Sequence, residues 1–327
     1  MKRAFLVVAE FVVILTLVAC TGGQQQQPPT KTLKKVAIAT LMTHPALDEV
    51  IQNMKADLAE RGFKEGETIE YTVRNANGDP NLAVTIVREL EQGGPDVLVA
   101  VTTPVAQVAA KEARSPIVFS AVTDPVSAGV VESLATPPAN ITGVSDAWPY
   151  RAQLALVREI LPPAKRLGVL LNPGEAASQY GIAQIRTLAP SIGFQVVEIP
   201  VSNTQEILGA LRVRIREVDA VYLSSDNTVI QGVPAALRVC LDNRKPLFVG
   251  DSGTVEKGGL AAVSVGYAGV GRSTGALVAR VIRGERSIPV VVAEGDETYL
   301  NLDTAKRIGI EIPRAVRARA TRVFGGQ

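Results

Sequence analysis

At 327 residues the chain exceeds one typical domain and is long enough for two, each with a substantial core. Its 46% hydrophobic content is that of a globular protein. Lys+Arg 34 against Asp+Glu 32, with no basic stripe interleaved with aromatics, argues against nucleic acid as a partner.

The first twenty residues read as an export signal. Lys2-Arg3 open it, Ala4 to Thr16 are mostly apolar, and Leu17-Val18-Ala19-Cys20 supplies a small-residue ending. The ending resembles the bacterial lipobox, which makes Cys20 the expected acylated N-terminus and membrane anchor. The apolar run is shorter than the ~20 residues that span a bilayer. Residues 21–32, with four glutamines and two prolines, read as a flexible tether, and the folded body is expected from Leu33. Cys240 then stands alone among apolar neighbours as a buried small hydrophobe.

A strand at Val36 to Ala39 leads through Thr40 to Pro45 into a helix ending at Arg61, with apolar residues at Leu47, Val50, Ile51, Met54 and Leu58. A strand from Ile69 to Val73, the turn-rich Asn75 to Pro80, and a helix from Asn81 to Gln92 follow. Strands at Val97–Val101 and Ile117–Phe119 end at Thr102-Thr103-Pro104 and Thr123-Asp124-Pro125. The texture changes over Ala135 to Pro149, where the chain is expected to cross to a second half. That half opens with a helix from Arg151 to Leu161 and has strands near 167–171, 195–199, 220–223, 247–249 and 260–265. A long helix over Gly266 to Arg283, stopped by Gly284, returns to the first half.

The fold class that follows is α/β: two Rossmann-like, parallel-sheet lobes with a ligand cleft between their carboxyl edges, where ligands bind. Residues 33–146 and 267–288 form lobe 1, and 147–266 with 289–327 form lobe 2. Crossings are expected near Asp146, Gly266 and Pro289.

At the expected strand tips, Thr102 and Thr103 either cap the following helix or offer hydroxyls and free N–H groups to a ligand carboxylate. Thr123 and Asp124 repeat that choice, with Asp124 leaning toward a turn cap. Asp226 and Asp251 are helix-capping candidates that, inside a closed cleft, call for a cation such as a ligand ammonium. Asp146 beside the first crossing serves structure or ligand. Thr43, the single histidine His44, and Tyr267 complete the candidate set; Trp148, Tyr180 and Tyr222 are further aromatics placed for stacking. One histidine makes no metal cluster, and GxSxG, P-loop and GxGxxG patterns are absent, so neither metal, cofactor nor enzymatic chemistry is expected.

Eight segments in order resemble a known family: Thr43 to Asp48, Asn75 to Asp79, Thr102-Thr103-Pro104, Val118 to Pro125, Asn140 to Asp146, Asn172 to Glu175, Asp226 to Val229, and Gly309 to Pro313. Together they are similar to the ABC-transporter substrate-binding lipoproteins that include tryptophan- and aromatic-amino-acid-binding members. The resemblance implies a type I periplasmic-binding-protein fold with three crossings, an extracytoplasmic anchored monomer, and a permease and ATPase as partners. The expected ligand is an amino acid or similar zwitterion, its carboxylate toward Thr102-Thr103 and its ammonium toward Asp226 or Asp251. A receptor subunit of a membrane signalling system, using the same flytrap, is the alternative. Ala176 and Ala177 depart from the family's more polar loop.

Overall fold

A computed structural model describes residues 32–326; the segments expected as export signal and tether, with Cys20, lie outside the described residues but for residue 32. The first half runs β1 (Lys34–Thr40), α1 (Pro45–Glu60), β2 (Ile69–Asn75), α2 (Pro80–Gln92), β3 (Val97–Val101), α3 (Thr103–Glu112), β4 (Ile117–Val122) and β5 (Ile141–Ser145). The second runs α4 (Tyr150–Ile160), β6 (Arg166–Leu171), α5 (Ala176–Leu188), β7 (Gln195–Pro200), α6 (Ile207–Arg214), β8 (Ala220–Leu223), α7 (Asn227–Gln231), α8 (Val233–Asp242), β9 (Leu247–Val249), α9 (Ser252–Glu256) and β10 (Ala261–Ser264). Then come α10 (Tyr267–Ile282), β11 (Val291–Val292), β12 (Glu297–Asn301), α11 (Leu302–Ile308), α12 (Arg314–Ala318) and β13 (Arg322–Phe324).

Two sheets result, ordered β11-β5-β4-β3-β1-β2 and β13-β12-β10-β9-β8-β6-β7. All pairs are parallel except β10 with β12. Strands such as Val97–Val101 and Ile117–Val122 are buried throughout, because helices cover both faces. Each sheet therefore carries a core on either side: α1 and α10 against α2 and α3 in lobe 1, α4 and α5 against α6 and α8 in lobe 2. Cys240 is buried in the last of these, and burial pushes its thiol up to about 12.

In both sheets the first strand of the half lies between the second and third, so each order reverses once, at β1/β3 and at β6/β8. The helices diverge there and leave a crevice at the carboxyl edge. The two crevices face each other.

The return helix α10 lies close on α1 because two of its residues have no side chain. A Cβ at Gly271 would stand 2.5 Å from the Val50 carbonyl oxygen, and one at Gly275 would stand 2.8 Å from that of Met54. The helix thus belongs to the core of lobe 1 although it follows the strands of lobe 2 in sequence.

The third crossing differs from its expected place. Val291 and Val292 pair with Val144 and Ser145 of β5, and the Ala293 N–H donates to the Ser145 carbonyl, so the chain remains on the first sheet past Pro289. The two-residue strand was too short to register as a periodic pattern. Antiparallel β12 and the terminal α11, α12 and β13 were likewise not anticipated.

Candidate functional site

Between the facing crevices lies a narrow cavity of about 40 Å³, lined by residues of both lobes. Eight of the ten expected residues line it: His44, Thr102, Thr103, Thr123, Asp146, Asp226, Asp251 and Tyr267. Thr43 and Asp124 do not. The Thr43 side chain is exposed and accepts from Asn75 Nδ2 at 2.9 Å, outside the cavity. Asp124 caps its own turn, Oδ1 accepting from the Val126 and Ser127 N–H groups at 3.1 and 3.4 Å.

Backbone strain converges on this cavity. Thr102 has φ +87° and Ala121 φ +52°, left-handed values that cost a residue with a Cβ of order 1–3 kcal/mol. Ala121 sits where the β4–β5 register shifts. At Thr102 the twist leaves α3 without a side-chain cap, and Thr102 Oγ1 is buried with no hydrogen-bond partner. The choice left open between capping and a free helix N-terminus resolves toward the free terminus. Pro104, lacking an N–H, occupies the first turn at little cost.

Asp226 and Asp251 both cap helices. Asp226 Oδ1 accepts from the Val229 N–H at 2.9 Å and Oδ2 from the Asn172 N–H. Burial, then the neighbouring Glu175 carboxylate, pushes its pKa up to about 7. Glu175 accepts from the Asn227 backbone and side chain at 3.0 and 2.8 Å and from the Thr228 backbone and hydroxyl at 2.8 and 2.5 Å. The loop whose Ala176 and Ala177 departed from the family's polar pattern therefore fastens α7 through Asn172 and Glu175. Asp251 accepts from Thr254 twice, Oδ1 from its N–H at 2.8 Å and Oδ2 from its hydroxyl at 2.7 Å.

Asp146 is different. It is 4% exposed; Oδ2 accepts from the Tyr267 hydroxyl at 3.1 Å, while Oδ1 is buried without a partner. The Tyr267 oxygen in turn accepts from Trp148 Nε1 at 3.3 Å, which ties the first crossing to the start of α10. Burial raises the Asp146 pKa to about 6, against the smaller opposing effect of the Tyr267 hydrogen bond.

Contacts cross the cleft at several points. The Thr123 and Ser225 hydroxyls are 2.6 Å apart, and Gln231 Nε2 donates to the Asn77 carbonyl at 3.4 Å. His44 Nδ1 accepts from the Ala46 N–H at 3.3 Å, capping α1, so the neutral ring carries its proton on Nε2. That nitrogen lies 3.9 Å from Asp251 Oδ1 in the other lobe. Burial lowers the His44 pKa, with Asp251 opposing.

Met42, Ala46, Leu47, Trp148, Ser225, Asn227 and Ile230 complete most of the lining. Of these only Trp148 had been singled out. Ala46 and Leu47 look in sequence like core positions of α1, and only the close approach of the second lobe makes their first-turn side chains cavity wall. Tyr222 is instead buried in the lobe 2 core, donating to Gln153 Oε1, and Tyr180 packs against Tyr150 with ring centroids 6.3 Å apart. Among the described residues no helix is long and apolar enough to cross a membrane.

A family model described as "ABC transporter substrate binding protein" matches residues 35–324. The chain belongs to that family. This substrate-binding protein is 30% identical over 293 residues to a tyrosine-binding protein of Clostridioides difficile, covering 89% of this chain and 85% of the relative. Among solved structures it resembles an ABC domain in complex with L-Trp from Streptococcus pneumoniae, with TM-score 0.86, 30% identity, and coverage of 90% of this chain and 100% of that one. It also resembles a ligand-free, open substrate-binding protein with adhesive properties from Clostridium difficile, with TM-score 0.69, 31% identity and the same coverages. The fold is that of the periplasmic binding proteins, and the protein is the substrate-binding component of an ABC transporter, in an extracytoplasmic family.

Proposed function

We propose that this protein captures an amino acid with an aromatic side chain and delivers it, by lobe closure, to the permease and ATPase of an importer. The observation that carries this reading is the charge pattern of the cavity. Three carboxylates, Asp146, Asp226 and Asp251, line it with no lysine or arginine, and one uncapped helix N-terminus faces them. Carboxylates removed from water call for a cation, and an uncapped helix end calls for an anion. A zwitterion satisfies both, whereas a dianion leaves the carboxylates unpaired and a neutral sugar supplies neither charge.

The ligand carboxylate is assigned to the N–H groups and hydroxyls of Thr102 and Thr103. The ammonium is assigned to Asp146, whose Oδ1 has no partner, rather than to Asp226 or Asp251, whose four oxygens each already accept a hydrogen bond. Met42, Leu47, Ile230 and Trp148 supply apolar surface for the side chain. The relatives named for tyrosine and bound to L-Trp support an aromatic one. The higher TM-score to the ligand-bound than to the open relative, at nearly equal identity, accords with the contacts across the cleft in describing a closed arrangement. Anchoring through acylated Cys20, action as a monomer, and binding without chemical conversion belong to the same proposal. Calorimetric titration of the full chain with the twenty amino acids, neutral sugars and purines tests it; binding of a sugar and of no amino acid would overturn it.

A further inference from the structure

His44 and Asp251 form a donor–acceptor pair that is split between the lobes. His44 comes from the connection after β1 and Asp251 from the tip of β9; both are buried, at 8% and 3% exposure, and both line the same cavity. The Nε2–H of His44 has no hydrogen-bond partner among the described residues, since its gap of 3.9 Å to Asp251 Oδ1 exceeds hydrogen-bond length. Asp251 Oδ1 already accepts the Thr254 N–H, but a carboxylate oxygen takes a second donor. Two hydrogen bonds of about 2.8 Å meeting at one oxygen atom span a gap of this size. The group that fits is a hydroxyl, which accepts from His44 and donates to Asp251.

The apolar lining nearest in sequence is Met42, from the same β1–α1 connection as His44, and Ala46 and Leu47, from the first turn of the helix that His44 caps. Apolar wall and the split pair thus adjoin in the lining of one cavity. We infer that His44 and Asp251 select ligands with a hydroxyl at the end of an aromatic side chain, a phenol above all, over the same side chain without one. The inference rests on the amino-acid reading and adds to it which group of the side chain is recognised, and by what. Because the donor and the acceptor sit on different lobes, the hydroxyl bridges them only on closure. It thereby gives the closed state a contact that the open state cannot make.

The test is calorimetry on the full chain with L-tyrosine, L-phenylalanine and O-methyl-L-tyrosine, which accepts a hydrogen bond but cannot donate one. Leaving a buried donor and acceptor unpaired should weaken phenylalanine by roughly tenfold or more relative to tyrosine, and the methyl ether should lose a comparable factor. The variants His44→Asn and Asp251→Ser keep residues that cap helices well but withdraw the groups facing the hydroxyl. In both, the ratio of tyrosine to phenylalanine affinity should collapse to within about threefold, with a cooperative thermal melt of the ligand-free variant as the check on folding. Equal binding of tyrosine and phenylalanine by the unaltered chain, or an unchanged preference in both variants, would overturn the inference while leaving the amino-acid reading intact. Failure of every amino acid to bind would remove that reading itself.

Discussion

Replacing Asp146 by Asn should make the ligand-free protein more stable and its ligand affinity worse. The carboxyl is held in a dry site, with its pKa raised from an ordinary 3.8 to about 6, and one oxygen has no partner. At 1.36 kcal/mol per pKa unit, keeping it ionised well above pH 6 costs the folded state about 3 kcal/mol. Folding favours the protonated form, so this contribution to stability is fully present below pH 3.8 and is lost as pH rises through 6. Asn keeps the shape and an oxygen for the Tyr267 hydroxyl but never ionises. For a protein of this size, ~3 kcal/mol corresponds to a rise in Tm of roughly 6 °C. Thermal melts of ligand-free protein at pH 7.5 should show that rise, and at pH 4 the two proteins should melt much closer together. Titration at pH 7.5 should show amino-acid affinity reduced by about ten- to a hundredfold, because a charge-assisted pair with the ammonium is worth roughly 1.5–3 kcal/mol. A variant that melts no higher than the parent at pH 7.5, or that keeps full affinity, would refute the account of Asp146 as an uncompensated charge awaiting a cation.

Affinity of the unaltered protein should fall as pH drops through about 6, since an ammonium favours the ionised form of Asp146 and protonation competes with it; calorimetry at about pH 6 in buffers of different ionisation enthalpy should show proton release on binding. Thr102→Gly should stabilise the fold by about 1 kcal/mol in denaturant melts by relieving φ +87°, while weakening binding through loss of the unpaired hydroxyl. Gly275→Ala, which in an exposed helix would gain up to about 1 kcal/mol, should instead cost roughly 1–3 kcal/mol, because the new Cβ meets the Met54 carbonyl; an increase in stability would contradict the close seating of α10 on α1. Losing both hydroxyls in Thr123→Ala/Ser225→Ala should lower affinity several-fold through a destabilised closed state, seen as a faster off-rate in stopped-flow fluorescence of Trp148.

The sequence alone determined the alternation of strand and helix, the two-lobed arrangement and the list of strand tips. Those follow from local periodicity and from turn chemistry such as Thr102-Thr103-Pro104 and Asp226-Asn227, which act over a few residues. It also placed His44, Asp146 and Asp251 among the candidates, because the carboxyl edge of a parallel sheet follows from strand direction. What each of these side chains does was decided by tertiary structure. Asp226 and Asp251 each cap a helix with one oxygen and have the other occupied, by the Asn172 N–H and the Thr254 hydroxyl, whereas Asp146 caps nothing and leaves one oxygen unpaired, a distinction that depends on partners up to 121 residues away, such as Tyr267. Thr43 and His44 are neighbours in the chain, yet only the second, which also caps α1, lines the cavity. Ala46 and Leu47 become cavity wall, and Val291–Val292 joins the first sheet, through packing between segments distant in sequence. Such contacts are set by the closing of one lobe on another, and a pattern read over a few neighbouring residues carries no record of them.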